Sequence, residues 1–118
     1  MIVPFLIFAS ADTQGTHWEA MGRANEVASI CSIRQGVRLD DKRTSPEIVA
    51  RAAMAACHRE LLEMDQSVAT NAAIEIPTVP QEQRNATVAG HVQAMRKRIE
   101  DLTIQAILER RMRHAPNK

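Results

Sequence analysis

The two cysteines, Cys31 and Cys57, are the side chains best suited to chemistry in this chain of 118 residues. Each falls on the apolar stripe of a separate predicted helix, and a polar turn lies between the helices. A disulfide between them would close a loop of about 26 residues and, in the chain-entropy model, stabilise the fold by roughly 3 to 4 kcal/mol. Two buried thiols that pack as small apolar groups are the alternative, and a reactive or metal-binding pair is the least favoured, because close spacings such as C-x-x-C are absent.

The histidines are not arranged for catalysis or metal binding. His58 follows Cys57 directly, and adjacent helical residues point about 100° apart, so these two side chains do not face each other. His17, His91 and His114 are dispersed, without the H-E-x-x-H spacing of a zinc site. We therefore expect solvated or capping histidines.

The carboxylates give no catalytic signature either. Glu60, Glu63 and Asp65 cluster beside Arg59, which is typical of a solvated helix face. No nucleophile, base and orienting group share a recognisable spacing. We predict that the protein is not an enzyme and that it has no metal, no cofactor and no small-molecule substrate.

Basic residues are concentrated near the C-terminus. Residues 1–83 hold seven Lys or Arg against eleven Asp or Glu, a net charge of −4, while residues 84–118 hold eight against three, a net charge of +5. Two clusters are candidates for binding an anion: Arg96, Lys97, Arg98, Arg110, Arg111 and Arg113. No aromatic residues are interleaved for base stacking, and cations also favour a helix C-terminus without any ligand. Complementary packing of the two regions is the simpler explanation.

Residues 1–11 carry no charge and end in an A-x-A-like pattern, which is typical of the end of a secretory signal peptide. They lack a basic start, so a retained segment that packs on the protein or on a partner is the alternative. The apolar run is too short to span a bilayer. Hydrophobic residues make up 45% of the chain and charged residues 25%, which indicates a single globular domain over 12–118.

Helical spacing and capping signals predict an all-α fold. The first helix covers about 16–36, between a Thr16 to Glu19 capping box and Gly36. The second covers about 45–71 and opens with Ser45 and Pro46. A proline-containing linker over 74–80 precedes a long third helix over about 80–114. We expect an antiparallel helical hairpin with the third helix, forming a small three-helix bundle.

Four apolar residues are candidates for an interface: Trp18 on the first helix, and Ile104, Ile107 and Leu108, which form a second apolar strip on the third. An exposed strip of this kind marks a contact with another protein rather than a core.

From Trp18 to about Glu63 the chain resembles small uncharacterised exported proteins of proteobacteria, particularly alphaproteobacteria. The residues that carry the resemblance include an aromatic residue and a Cys on one helix, a Ser-Pro start and an Ala-Cys ending on the next: Trp18, Cys31, Leu39, Ser45, Pro46, Glu47, Ile48, Val49, Ala50, Ala53, Ala56, Cys57 and Glu60. The resemblance implies export and a disulfide between Cys31 and Cys57. It implies no activity, and it does not extend to the third helix.

These features predict a small, non-catalytic helical protein, periplasmic or secreted, that acts by binding another protein or a second copy of itself. The first alternative is a structural subunit of a virion or envelope complex, in which residues 1–11 and the linker over 74–80 lie against neighbouring copies. The second alternative is binding of nucleic acid or an anionic membrane through the basic third helix.

Overall fold

The computed structural model describes residues 2–115, and it describes side chains from residue 16 to residue 115. This part of the chain forms four helices and no strand, which confirms the all-α prediction: α1 (Ile2–Leu39), α2 (Pro46–Ala56), α3 (His58–Glu75) and α4 (Gln81–Arg113). The predicted leader, residues 1–11, lies outside the residues whose side chains are described. Within the described part, no helix has the length and apolar character needed to cross a membrane.

The first helix differs from its predicted bounds at both ends. It begins at Ile2, so the Thr16 to Glu19 spacing lies inside α1, where there is no helix end to cap. It also continues past Gly36 to Leu39. Gly36 is buried against α4, where a Cβ atom would lie 2.6 Å from Cγ2 of Thr103. This glycine therefore permits a close approach of two helices and does not end one.

The predicted second helix is interrupted at Cys57. Its start is as predicted, since the Ser45 hydroxyl accepts a hydrogen bond from the Ile48 N–H and Pro46 is the first helical residue. Cys57 departs from helical geometry, with φ −101° and ψ 26°, and separates α2 from α3. Helix α3 then extends beyond Asn71 to Glu75, and Pro77 prevents its continuation. Helix α4 lies within one residue of the predicted range at each end.

A disulfide joins Cys31 of α1 to Cys57 at the α2–α3 junction, with the two Cα atoms 6.0 Å apart. His17 of α1 contacts Glu75 at the far end of α3, so α1 runs opposite to α2 and α3. Ser32 of α1 contacts Thr103 of α4, and Asp40 contacts Arg111, so α1 and α4 run in the same direction. Helix α1 packs against all three other helices.

Most of the interior is apolar, and it includes Ala28, Val49, Ala50, Ala53, Cys57, Leu61, Met64, Val68, Ile99 and Ile107. Two buried polar residues, Ser32 and Thr103, satisfy each other. Their hydroxyl oxygens lie 2.8 Å apart, and the Thr103 hydroxyl donates to the Ile99 carbonyl at 2.8 Å. Ser32 and Gly36 of α1 are small, so α1 and α4 lie close together at this level.

Candidate functional site

An open groove lies between α1, α3 and α4, at the end where α1 contacts the C-terminal part of α3. Its volume is about 270 Å³, and its lining side chains are mostly apolar: Trp18, Met21, Val68, Asn71, Ala72, Glu75, Ile76, Thr87 and His91. We refer to it as the Trp18 groove. Its α4 wall contributes only Thr87 and His91, so no large apolar side chain of α4 lines the groove.

Trp18 is half exposed, with 49% of its surface accessible. Its ring lies 5.6 Å from the ring of His17, at an angle of 35°. A tryptophan contributes a large apolar area together with an indole N–H donor, so its exposure at a groove is energetically unfavourable in the free protein and useful at an interface.

A hydrogen bond from His17 holds Glu75, one of the residues that line the groove. Nε2 of His17 lies 2.8 Å from a carboxylate oxygen of Glu75, joining α1 to α3. The carboxylate accepts, so the hydrogen bond places a proton on Nε2 of His17. The wall is therefore held by a specific polar contact in addition to packing.

Asn71 provides an unusual polar atom. Its Oδ1 is buried and accepts no hydrogen bond from any of the described residues. An unpaired buried acceptor costs about 1 to 3 kcal/mol. Because this oxygen has almost no accessible surface, a donor that enters the groove can reach it only after the Asn71 carboxamide rotates.

The predicted apolar strip on α4 does not form one exposed surface. Ile107 is fully buried against Gly36, Ile104 is half-buried, and Leu108 alone is exposed. Ile107 is therefore not on the surface of the single chain, because the absence of a Cβ at Gly36 lets α4 lie close to α1 at this position. Trp18 lies eighteen residues before Gly36 on α1, about 27 Å along the helix, so the structure does not bring Trp18 and the strip together.

Three of the six residues in the predicted basic clusters are paired with carboxylates within the protein. Guanidinium nitrogens of Arg96 and Arg111 lie 2.6 Å from Asp65 and Asp40, respectively, and Nζ of Lys97 lies 2.7 Å from Asp101. Among residues 16–115, Arg98, Arg110 and Arg113 make no ion pair. Arg98 is about 18 Å along α4 from Arg110, which is too far for one compact anion site.

The pair of Asp40 and Arg111 closes the opposite end of the molecule. The Asp40 side chain is only 3% exposed, and Arg111 also donates to the Thr44 carbonyl at 2.6 Å. The hydrogen bonds from Arg111 lower the pKa of Asp40 below its usual value, and the same hydrogen bonds raise the pKa of Arg111. This pair stabilises the fold, and Arg111 is therefore paired with Asp40 and is not free to bind an anion.

Glu60 lies next to the disulfide. A carboxylate oxygen of Glu60 is 3.7 Å from Sγ of Cys31, and the side chain is only 20% exposed. The sequence indicated a solvated carboxylate here. The position of Glu60 beside the disulfide could have been predicted from the sequence, because Glu60 is three residues after Cys57 and such residues share one face of a helix.

Sequence reasoning also missed Asn71 and His91 as groove residues, and His17 as the partner of the groove residue Glu75. Their isolated polar side chains have no distinctive spacing, and they meet only after three helices pack. No family model, curated protein or solved structure matches this chain, so the resemblance over residues 18 to 63 remains a prediction.

Proposed function

We propose that this is a small, exported, non-catalytic helical protein that binds another protein through the Trp18 groove. In this proposal α1 and the α2–α3 pair form a disulfide-linked hairpin, and α4 completes a small bundle whose groove end receives the partner. The observation that carries the proposal is the half-exposed Trp18 beside the unpaired Oδ1 of Asn71.

The chemistry of the groove favours a protein segment as its occupant. Binding energy in protein interfaces is concentrated in a few residues, among which tryptophan is enriched. The apolar lining suits an apolar side chain of the partner, and the Asn71 carboxamide, once rotated towards the groove, suits a neighbouring N–H. A peptide supplies both groups at fixed spacing. The hydrogen bond from His17 orders the wall residue Glu75, which reduces the entropy lost on binding.

Export is supported by the disulfide, because disulfides persist in oxidising compartments. The intact mass of the protein from the cells that encode it, measured with alkylation before and after reduction, tests this part. We expect two cysteines that react only after reduction, and a mass that shows removal of residues 1–11. A full-length species with two thiols that react without reduction would contradict export.

Selection of displayed peptides tests the binding site. A random peptide library is selected on the full-length protein, and enriched peptides are measured against Trp18→Ala and against Leu108→Ala, which truncates an exposed apolar residue remote from the groove. We expect peptides with an apolar anchor whose affinity falls at least about tenfold with Trp18→Ala, a loss typical of an interface hot spot. Peptides that lose affinity only with Leu108→Ala, or no enrichment, would contradict the proposed site.

A second candidate, a structural subunit of a larger assembly, is favoured by one observation. Several large apolar residues outside the groove are more than two-fifths exposed, among them Val27, Ile30, Ile48 and Leu62. Copies that contact one another through these residues would form concentration-dependent oligomers. Sedimentation velocity of the wild type and of Val27→Ser/Ile30→Ser tests this alternative, which predicts oligomers that the double variant loses.

Binding of nucleic acid or an anionic membrane has less support, because Arg96, Lys97 and Arg111 are paired with carboxylates. Substitution of Arg98, Arg110 and Arg113 by Gln would leave binding of the selected peptides unchanged under our proposal.

A further inference from the structure

Three side chains that can ligate a metal meet at the α1–α3 contact. Sγ of Cys31, Sγ of Cys57 and a carboxylate oxygen of Glu60 all lie within 4.8 Å of one another. The sulfurs form a disulfide and are not metal ligands in this state. Reduction would leave two thiols and a carboxylate at one place in the fold.

The distance from Glu60 to Cys31 already suits a tetrahedral zinc site. With Zn–S of about 2.3 Å and Zn–O of about 2.1 Å, two ligand atoms at tetrahedral angles are separated by about 3.6 Å. The observed distance between Oε2 of Glu60 and Sγ of Cys31 is 3.7 Å. Two thiolate sulfurs on one zinc ion are separated by about 3.8 Å, so binding requires mainly that the two sulfurs move apart after their bond is broken.

The surroundings permit a metal ion to reach this place. An opening beside the disulfide is lined by Val27, Ile30, Cys31, Arg34, Gln35 and Glu60. The contact of Glu60 with Arg59 is long, at 3.6 Å, and uses the other carboxylate oxygen. The oxygen that faces Cys31 is therefore not taken by Arg59, and solvent can supply a fourth ligand.

We propose that the reduced chain binds one Zn²⁺ through Cys31, Cys57 and Glu60, so that the disulfide and the metal site are alternative states of the same residues. A dithiol reductant transfers two electrons and two protons to the disulfide and is itself oxidised to a disulfide. Zn²⁺ then displaces both thiol protons to the solvent, and a water molecule completes four-fold coordination. Two thiolates favour zinc over the hard cations Mg²⁺ and Ca²⁺.

The test uses the full-length protein, reduced and then freed of reductant without oxygen. Competition with a chromophoric zinc chelator measures affinity, and Co²⁺ provides a thiolate-to-metal charge-transfer band. We compare the oxidised and reduced wild type with Glu60→Gln and Cys57→Ser. Glu63→Gln is the matched control, since it makes the same change at an exposed carboxylate of α3.

We expect one Zn²⁺ per reduced chain and none per oxidised chain, with affinity about tenfold or more weaker in Glu60→Gln and unchanged in Glu63→Gln. If reduction lowers the helix content, Zn²⁺ should restore it in the wild type and not in Glu60→Gln, as judged by circular dichroism. Equal zinc uptake by the oxidised and reduced chains would overturn the proposal, as would equal affinities of Glu60→Gln and the wild type. Neither result bears on the Trp18 groove.

Discussion

The two ends of the described structure are built differently. At the closed end, around Gly36, Asp40, Thr103 and Arg111, α1 and α4 are in close contact and each buried polar side chain has a partner. At the open end, the Trp18 groove exposes an indole and leaves the Oδ1 of Asn71 without a donor. Stabilising contacts and the proposed binding surface are therefore separated along α1, so groove residues can be unfavourable for stability without unfolding the protein.

Loss of the disulfide should have the largest effect on stability. Cys31 and Cys57 tie α1 to the α2–α3 junction, between the closed end and the open end. Reduction should lower the free energy of unfolding by about 3 to 4 kcal/mol, because the unfolded chain regains the freedom of the closed loop. Urea unfolding of the oxidised and reduced wild type measures this. The Cys31→Ala/Cys57→Ala variant should have a still lower free energy of unfolding, because it also loses the packing of the two sulfur atoms. Equal unfolding midpoints before and after reduction would show that the disulfide does not stabilise the fold.

Alanine at two glycines of α1 should act in opposite directions. At the closed end, Gly36→Ala places a methyl group against Thr103, whose hydroxyl bonds to Ser32 and Ile99 hold it in place, and should destabilise by about 1 to 3 kcal/mol. At the open end, Gly22 has nothing within 4 Å of its would-be Cβ. Gly22→Ala should stabilise by up to about 1 kcal/mol through helix propensity.

The two glycine variants are each other's control, because both make the same change within one helix. Thermal unfolding monitored by circular dichroism gives the comparison. If both variants shifted the melting temperature in the same direction, α4 would be no closer to α1 at the closed end than at the open end.

Asn71→Leu should stabilise the open end while it removes binding. The substitution replaces an unpaired buried acceptor with an apolar group of similar size, which should raise the free energy of unfolding by about 1 kcal/mol. Peptides selected on the groove should bind less tightly, because the carboxamide of residue 71 can no longer rotate to accept their N–H. Asn85→Leu, at an exposed position of α4, is the control for helix propensity. A larger gain from Asn85→Leu than from Asn71→Leu would contradict a buried unpaired oxygen at residue 71.

The acid dependence of stability should arise at the closed end and be the smallest effect. Hydrogen bonds from the backbone N–H and the hydroxyl of Thr44 lower the pKa of Asp41 from 3.8 to about 2. A carboxyl with a lowered pKa stabilises the fold above pH 3.8, and this contribution is lost as the pH falls towards 2. Asp41→Asn should therefore weaken the pH dependence of unfolding between pH 4 and pH 2. A pH profile identical to that of the wild type would contradict this assignment.

Local signals predicted the helices better than they predicted the contacts between helices. Ser45 with Pro46 placed the start of α2 correctly, because capping depends on neighbouring residues alone. Gly36 was misassigned as a helix end, since its role depends on Thr103, 67 positions away in the chain. The break at Cys57 lies at the residue bonded to α1, a tertiary constraint that helical periodicity does not record.

The candidate site was predictable only in part. Trp18 stood out because it is the one tryptophan in a chain with few aromatic residues. Asn71 could not be found, because an asparagine in a helix becomes unusual only when packing buries its oxygen. Ile107 was assigned to an interface because periodicity gives a face of α4 and does not say what covers that face.

Binding of a partner protein at the Trp18 groove can be tested by site-specific photo-crosslinking. The photoreactive residue benzoylphenylalanine is placed at position 18 or at position 112, in the cells that encode the protein. Met112 is the control because it is 78% exposed and apolar but remote from the groove. We expect a discrete crosslinked protein from position 18 that Asn71→Leu diminishes, and none from position 112. Crosslinks of equal yield at both positions, or from position 112 alone, would contradict binding at the groove.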